Sequence, residues 1–177
     1  MKGTYLFKTI AVGSGGVGKT SLVRRFAEGT FLETYVPTLG VDFAIKEVQL
    51  RDQTIKLVIF DTGGQELFGR LRPYYYRGAN GALVCYDITA KATFEALEGW
   101  LSEIYHHVGP IPLLLVGTKV DLAAHREVPC TLAEAYAQEK CLHYIETSAK
   151  TGLGVEKMFL SITRMMLEAS MMDKMTP

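Results

Sequence analysis

The sequence predicts a single α/β domain, a mostly parallel sheet wound on both faces by helices, and three observations carry that expectation. Short runs rich in Val, Ile, Leu and aromatics recur at residues 5–12, 55–60, 82–86, 113–116 and 143–145. Near-continuous apolar runs of this length read as strands buried on both faces, which parallel sheets require. Segments with helical spacing lie between them, and strand–helix alternation demands crossover units. The 177 residues, 48% hydrophobic and 21% charged, suffice for one full core and are too apolar for a disordered chain.

Taken in order, the strand at 5–12 runs into a glycine-rich turn, and 21–27 follows with helical spacing. Residues 41–50 partly alternate in polarity, as an edge strand with one wet face would. The strands at 55–60 and 82–86 precede a helix at 94–107. After the strand at 113–116, a helix is expected over 131–140, opened by a Thr131 cap with Glu134 three residues on. The final helix sets Val155, Met158, Phe159, Ile162 and Met166 on one side, a core-facing stripe. Pro37, Pro73, Pro110, Pro112 and Pro129 fall in or near the expected loops. One domain spans 1–177, with 166–177 a tail of uncertain order. Most of the methionines gather between Met158 and Met175, which reads as adaptable packing at a helix end.

Nineteen Lys+Arg balance nineteen Asp+Glu, so no net field draws the chain to nucleic acid or an anionic membrane. Cys85, Cys130 and Cys141 lack paired spacing, which argues against a disulfide framework or zinc site and for a reducing, cytoplasmic setting. The longest apolar run, 111–116, is far short of the ~20 residues of a spanning helix. Lys2 excludes N-myristoylation, and no cysteine follows Cys141 in this sequence, so no lipid anchor is expected from it. Peripheral membrane association would then require a recruiting partner or a further lipidated segment.

The densest chemistry is Gly13-Ser14-Gly15-Gly16-Val17-Gly18-Lys19-Thr20, a complete phosphate-binding loop between an apolar strand and a helix. Glycines let main-chain N–H groups converge on a phosphate, and the helix start adds its positive dipole end. Lys19 supplies a point charge for β- and γ-phosphates, and the Thr20 hydroxyl a ligand for Mg²⁺. Such a loop fixes neither base nor reaction. Asp61 opens Asp61-Thr62-Gly63-Gly64-Gln65 at the tip of a strand, where a carboxylate can hold Mg²⁺ directly or through water. Gly64 leaves an N–H free for a γ-phosphate. Gln65, both donor and acceptor, suits orienting an attacking water rather than deprotonating it.

Thr118-Lys119-Val120-Asp121 follows the run 112–117. Asp121 only accepts, which matches the N1–H and 2-amino donors of guanine and leaves adenine unpaired. Each charge-assisted bond so lost is worth ~1.5–3 kcal/mol. Lys119 can lay its stem along the base plane. Thr147-Ser148-Ala149-Lys150 closes the last strand, where small residues and N–H groups can approach the guanine carbonyl. Taken alone, that segment reads more simply as a helix approach with a Ser/Thr cap.

These four segments, in this order and spacing, resemble the small GTPases of the Ras superfamily, from Phe7 to about Met166. Thr38-Leu39-Gly40-Val41-Asp42-Phe43 is similar to the effector segment of the Rab branch, as are 56–66 (KLVIFDTGGQE), Tyr75-Tyr76-Arg77-Gly78 and Tyr86-Asp87-Ile88-Thr89. The resemblance implies a three-layer P-loop NTPase fold, the G domain, with a six-stranded mostly parallel sheet and about five helices. It implies a GTP-binding switch that hydrolyses GTP to GDP and, Rab-like, regulates membrane trafficking through effectors bound in the GTP state. By the same resemblance, Gly15, Gly16, Val17, Gly18, Lys19, Thr20 and Ser21 cradle the phosphates, Phe31 covers the guanine, and Gly64 meets the γ-phosphate. Thr20, Thr38 and Asp61 serve Mg²⁺, and Gln65 positions the hydrolytic water. Thr118, Lys119, Asp121, Ser148, Ala149 and Lys150 read the base. Phe43, Phe60 and Tyr75 form a hydrophobic triad facing effectors. The implied partners are guanine nucleotide, a GTPase-activating protein, an exchange factor and effectors.

Four departures from the family pattern stand out. Gly63 sits where Ala is usual, Thr118 where Asn is commoner, Phe60 where Rab proteins usually carry Trp, and the cysteine tail is missing. No side chain of the loops supplies an arginine in cis, so unaided hydrolysis should be slow and a partner should add the charge, in the space left by Gly15. Two rival readings are a GTP-locked interaction module and a nucleotide phosphotransferase, the latter wanting an arginine-bearing lid that the sequence does not offer. His106 and His107 are adjacent and diverge on a helix, His125 and His143 lack ligand-like neighbours, and Cys85 reads as an inert core residue.

Overall fold

The computed structural model describes residues 4–34, 37–63 and 70–174. Six strands, β1 (Thr4–Val12), β2 (Val41–Leu50), β3 (Gln53–Thr62), β4 (Gly81–Asp87), β5 (Leu113–Thr118) and β6 (His143–Glu146), form one sheet in the order β2-β3-β1-β4-β5-β6. Only β2 runs antiparallel to its neighbour. The apolar runs of β1, β3, β4 and β5 therefore lie inside the sheet, the alternating segment is one edge strand, and the short run of β6 is the other edge and only half-buried. Successive residues of β1 serve opposite faces, Phe7 and Ala11 on one and Ile10 and Val12 on the other.

Helices α1 (Lys19–Glu28) and α6 (Val155–Asp173) cover the first face, with Leu22, Phe26, Phe159 and Ile162 in its core. The second face is covered by α2 (Arg72–Tyr76), α3 (Lys91–Glu95), α4 (Leu97–His107) and α5 (Cys130–Glu139), through Tyr76, Leu97, Ile104 and Ala133. The expected three-layer, six-stranded fold is thus present. Because β1 sends the chain to β3 on one side and is flanked by β4 on the other, its C-terminal end is a topological switch point, the place where open α/β sheets bind ligands.

Two local expectations need correction. The helix expected over 94–107 starts earlier, at Lys91, and is interrupted at Ala96, whose ψ of −9° leaves the Trp100 N–H a long 3.4 Å from its carbonyl. The helix expected from a Thr131 cap begins at Cys130, and Thr131 lies inside its first turn. Pro129 sets the start instead, its carbonyl accepting from the N–H groups of both Leu132 and Ala133. In α6, Met158 and Met166 are buried in the core while Met171 and Met172, in the distal turns, are exposed. The tyrosines of α2 divide likewise: Tyr76 is fully buried and Tyr74 is 72% exposed. Among the described residues no helix is long and apolar enough to cross a membrane.

The α1–α6 contact centres on Phe26 and Phe159, stacked with ring centroids 4.1 Å apart. Replacing the fully buried Phe159 with Ala is expected to cost about 3–5 kcal/mol. Urea unfolding followed by circular dichroism at fixed nucleotide concentration checks this.

Candidate functional site

The chain leaves β1 through Gly13, whose φ is +140° and where a Cβ would sit 2.3 Å from the Cys85 carbonyl oxygen. Only glycine fits, so the loop lies directly on β4. Gly16 and Gly18 also hold positive φ, and Gly18 caps the start of α1. Lys19 is 5% exposed, its ammonium donating to the Gly13 and Ser14 carbonyls at 2.7 and 2.9 Å. Burial pulls its pKa below the usual lysine range. The loop is braced from beneath by Thr118, whose buried hydroxyl lies 2.6 Å from the Val17 carbonyl and 2.9 Å from that of Tyr86. Cys85 is buried as expected, and burial pushes its thiol up to about 12.

Beside Lys19, Thr20 and Thr38 face each other with hydroxyl oxygens 2.7 Å apart. Both donate to Oδ2 of Asp61, Thr20 closely and Thr38 at 3.3 Å. Oδ1 of Asp61 is buried without a hydrogen-bond partner among the described residues, and burial raises the carboxyl pKa above its ordinary value. One buried carboxylate with an orphaned oxygen and two hydroxyls is a hard-oxygen donor set, which fits Mg²⁺ better than a softer metal. Among the described residues no group of three or more His, Cys, Asp or Glu gathers for any other metal. Nearby, the Gly63 N–H donates to the Gly40 carbonyl at 2.8 Å, linking the segment that carries Thr38 to the end of β3. Gly64 and Gln65 lie outside the described residues.

At the other end of the cleft, Lys119 adopts left-handed backbone at φ 64° and pairs with Asp87 at 2.6 Å, its stem passing within 4.0 Å of where a Gly18 Cβ would be. Ser148 donates to Oδ1 of Asp121 at 2.6 Å and receives the Thr151 N–H at 3.1 Å. Ser148 therefore does not cap the following helix, whose N-cap is Gly154. Gly15, Gly16, Val17, Gly18, Lys19, Thr20, Ser21, Phe31, Thr38, Thr118, Lys119, Asp121, Ala149 and Lys150 all line one cleft of about 410 Å³, a size suited to a small-molecule ligand. Phe43 and Phe60 stack on the exposed face of β2 and β3 with centroids 6.1 Å apart. Phe43 is 62% exposed, and Tyr75 is half-buried on α2. Lys8 sits 4.0 Å over the Phe60 ring and donates to the Arg77 carbonyl.

Several supporting residues carry no local motif. Asp87 fixes Lys119. Arg126 grips Glu146 with two bonds of 2.7 and 2.8 Å, and Tyr144 donates to the same carboxylate at 2.6 Å while meeting Tyr86 at 2.8 Å. That network joins the chain after Asp121 to the chain before Ser148. The phrase Tyr86-Asp87 within an apolar strand could have flagged Asp87, since buried carboxylates are almost always partnered.

A phosphate loop at the switch point, with hydroxyls and a carboxylate beside it and a second acidic loop across the cleft, defines a P-loop nucleotide-binding domain. The Ras family matches residues 8–168. The chain is 44% identical over 167 residues to the Ras-related protein Rab-30 of Homo sapiens, covering 93% of this chain and 82% of that one. It is 45% identical over 159 residues to the Ras-related protein Rab-1A of Dictyostelium discoideum (89% and 79%) and 44% identical over 174 to the Ras-related protein Rab-1 of Theileria parva (97% and 77%). The chain belongs to the Ras family of small GTPases, among its Rab-type members. It is accordingly a GTP-binding switch and a GTP hydrolase.

Arg126 holds the Glu146 carboxyl below its usual range. A carboxylate so depressed stabilises the fold above its unfolded pKa and loses that contribution as pH falls through the lowered value. Arg126→Met should therefore cost about 1–3 kcal/mol at neutral pH. The difference from wild type should shrink in acid, with the acid-unfolding limb moved to higher pH. Circular dichroism across a pH series tests both.

Proposed function

We propose that this cleft holds the guanine nucleotide with its triphosphate on the loop of residues 13–20 and its base between Lys119, Asp121 and the 148–150 segment. The observation that carries the reading is the meeting, in one cavity, of a buried lysine on a glycine loop and a carboxylate already fixed by Ser148. Lys19 and the loop N–H groups neutralise phosphate charge, and Gly15 to Ser21 follow the phosphates closely. Phe31 closes over the base. Asp121 keeps Oδ2 for guanine donors while Oδ1 receives the serine hydroxyl, which orients the carboxylate in advance of binding. Thr118 acts on the base indirectly, through the loop it braces.

Thr20, Thr38 and Asp61 are the residues that would hold Mg²⁺, which would offset the negative charge that develops on the phosphates. Thr38 and Gly64 contact the γ-phosphate, so its loss frees the segments on either side of β2 and β3. Gln65 orients the attacking water, and a GTPase-activating partner supplies the remaining positive charge. An exchange factor reverses the state by opening the cleft. The apolar face around Phe43, Phe60 and Tyr75 meets effectors in the GTP state, and the readout, as for Rab-type members, is membrane trafficking.

The direct test is to denature the purified protein and identify what it releases; guanine nucleotide is expected, and adenine nucleotide alone would overturn the base assignment. Calorimetry with Mg²⁺ should show Asp121→Ala losing at least tenfold in GDP affinity, the equivalent of one charge-assisted bond. Gln65→Leu should keep GTP binding and lose partner-stimulated turnover. Unchanged single-turnover hydrolysis in that variant would remove Gln65 from its role.

A further inference from the structure

Arg25 lies in the last turn of α1, away from the phosphate loop, and is half-buried. All three of its donating nitrogens reach main-chain carbonyls: Nε to Ala149 at 2.6 Å, Nη2 to Lys150 at 2.7 Å and Nη1 to Gly29 at 2.9 Å. One planar fork thus joins the end of α1, the segment leading to Phe31, and the loop after β6. The Lys150 carbonyl shares its rigid peptide plane with the Thr151 N–H. That N–H donates to Ser148 Oγ, and the Ser148 hydroxyl donates to Oδ1 of Asp121. Donors and acceptors therefore run in one direction from guanidinium to carboxylate, an arrangement in which each bond polarises the next.

We propose that Arg25 is a positioning residue for base recognition, fixing the 148–151 backbone and, through Ser148, the carboxylate of Asp121. The proposal rests on the reading of that loop and Asp121 as the base site. Holding the Ala149 carbonyl toward α1 turns the Lys150 N–H of the same trans peptide to the opposite side. The guanidinium is suited to this by shape as well as charge: a lysine ammonium on a flexible stem cannot hold three carbonyls in one plane. No local motif points to it, because Arg25 and Ala149 are distant in the chain and the bond is to backbone.

The test compares GDP with the 5′-diphosphate of 2-aminopurine riboside, which keeps the 2-amino group but lacks the 6-oxo group and the N1 proton. Both carry the same phosphates, so a loss of general stability or of the phosphate loop weakens them equally. Arg25→Gln is expected to narrow the preference for GDP by about tenfold and to speed GDP release, with Arg25→Lys between it and wild type. Should Arg25→Gln fail to fold, Arg25→Lys, which keeps the stem and charge, decides on the same ratio. An unchanged ratio in the folded variants would overturn the proposal, leaving Arg25 a helix-end brace. No preference for GDP in the wild type would overturn the base reading itself, and the proposal with it.

Discussion

Everything in the site depends on how closely the loop after β1 is pressed against the strands beside it. Gly13 rests on the Cys85 carbonyl with no room for a methyl group, and Thr118 ties Val17 and Tyr86 together from below. With those contacts made, the N–H groups of the loop have one orientation, and Lys19 has one place to lie. A looser loop would still be glycine-rich, but its donors would no longer converge.

The two charges nearest that loop are perturbed in opposite directions by the same cause. Burial disfavours the ammonium of Lys19 and the carboxylate of Asp61 alike. Lys19 turns to two carbonyls of its own loop, while Asp61 keeps one oxygen unsatisfied beside two threonine hydroxyls. A polyanion together with a divalent cation would meet both groups at once, which is why ligand and metal are expected to bind as a unit. The distant end of the cleft is built differently. Asp121 is exposed and is oriented by the Ser148 hydrogen bond rather than by burial.

What the sequence revealed follows from the range of the interaction concerned. Parallel strands announce themselves as short, mostly apolar runs, so all five were legible, and the polarity of 41–50 marked one edge of the sheet; that β6 forms the other, half-buried edge was not marked. The phosphate loop and Asp121 were legible because their chemistry sits in short, fixed spacing. Helix boundaries were read less well where main chain decides them: Pro129 rather than Thr131 opens α5, and Ala96 breaks a helix that apolar spacing would continue. Least legible were pairs distant in the chain, such as Lys119 with Asp87, Arg126 with Glu146, and Arg25 with two carbonyls of the 148–151 loop. Apart from Asp87, which ends an apolar strand, each of these residues alone looks like an ordinary charged surface position. Its partner is fixed only once the sheet order brings the strand ends together.

The division of methionines along α6 has a chemical consequence. Thioethers oxidise to sulfoxides according to their exposure, and the change replaces an apolar group with a polar one. Peroxide would reach Met171 and Met172 in the outer turns well before Met158 or Met166, which the sheet shields. The far end of the helix can thus absorb oxidative damage sacrificially, while the sulfur atoms that would wreck the interior if modified stay reduced.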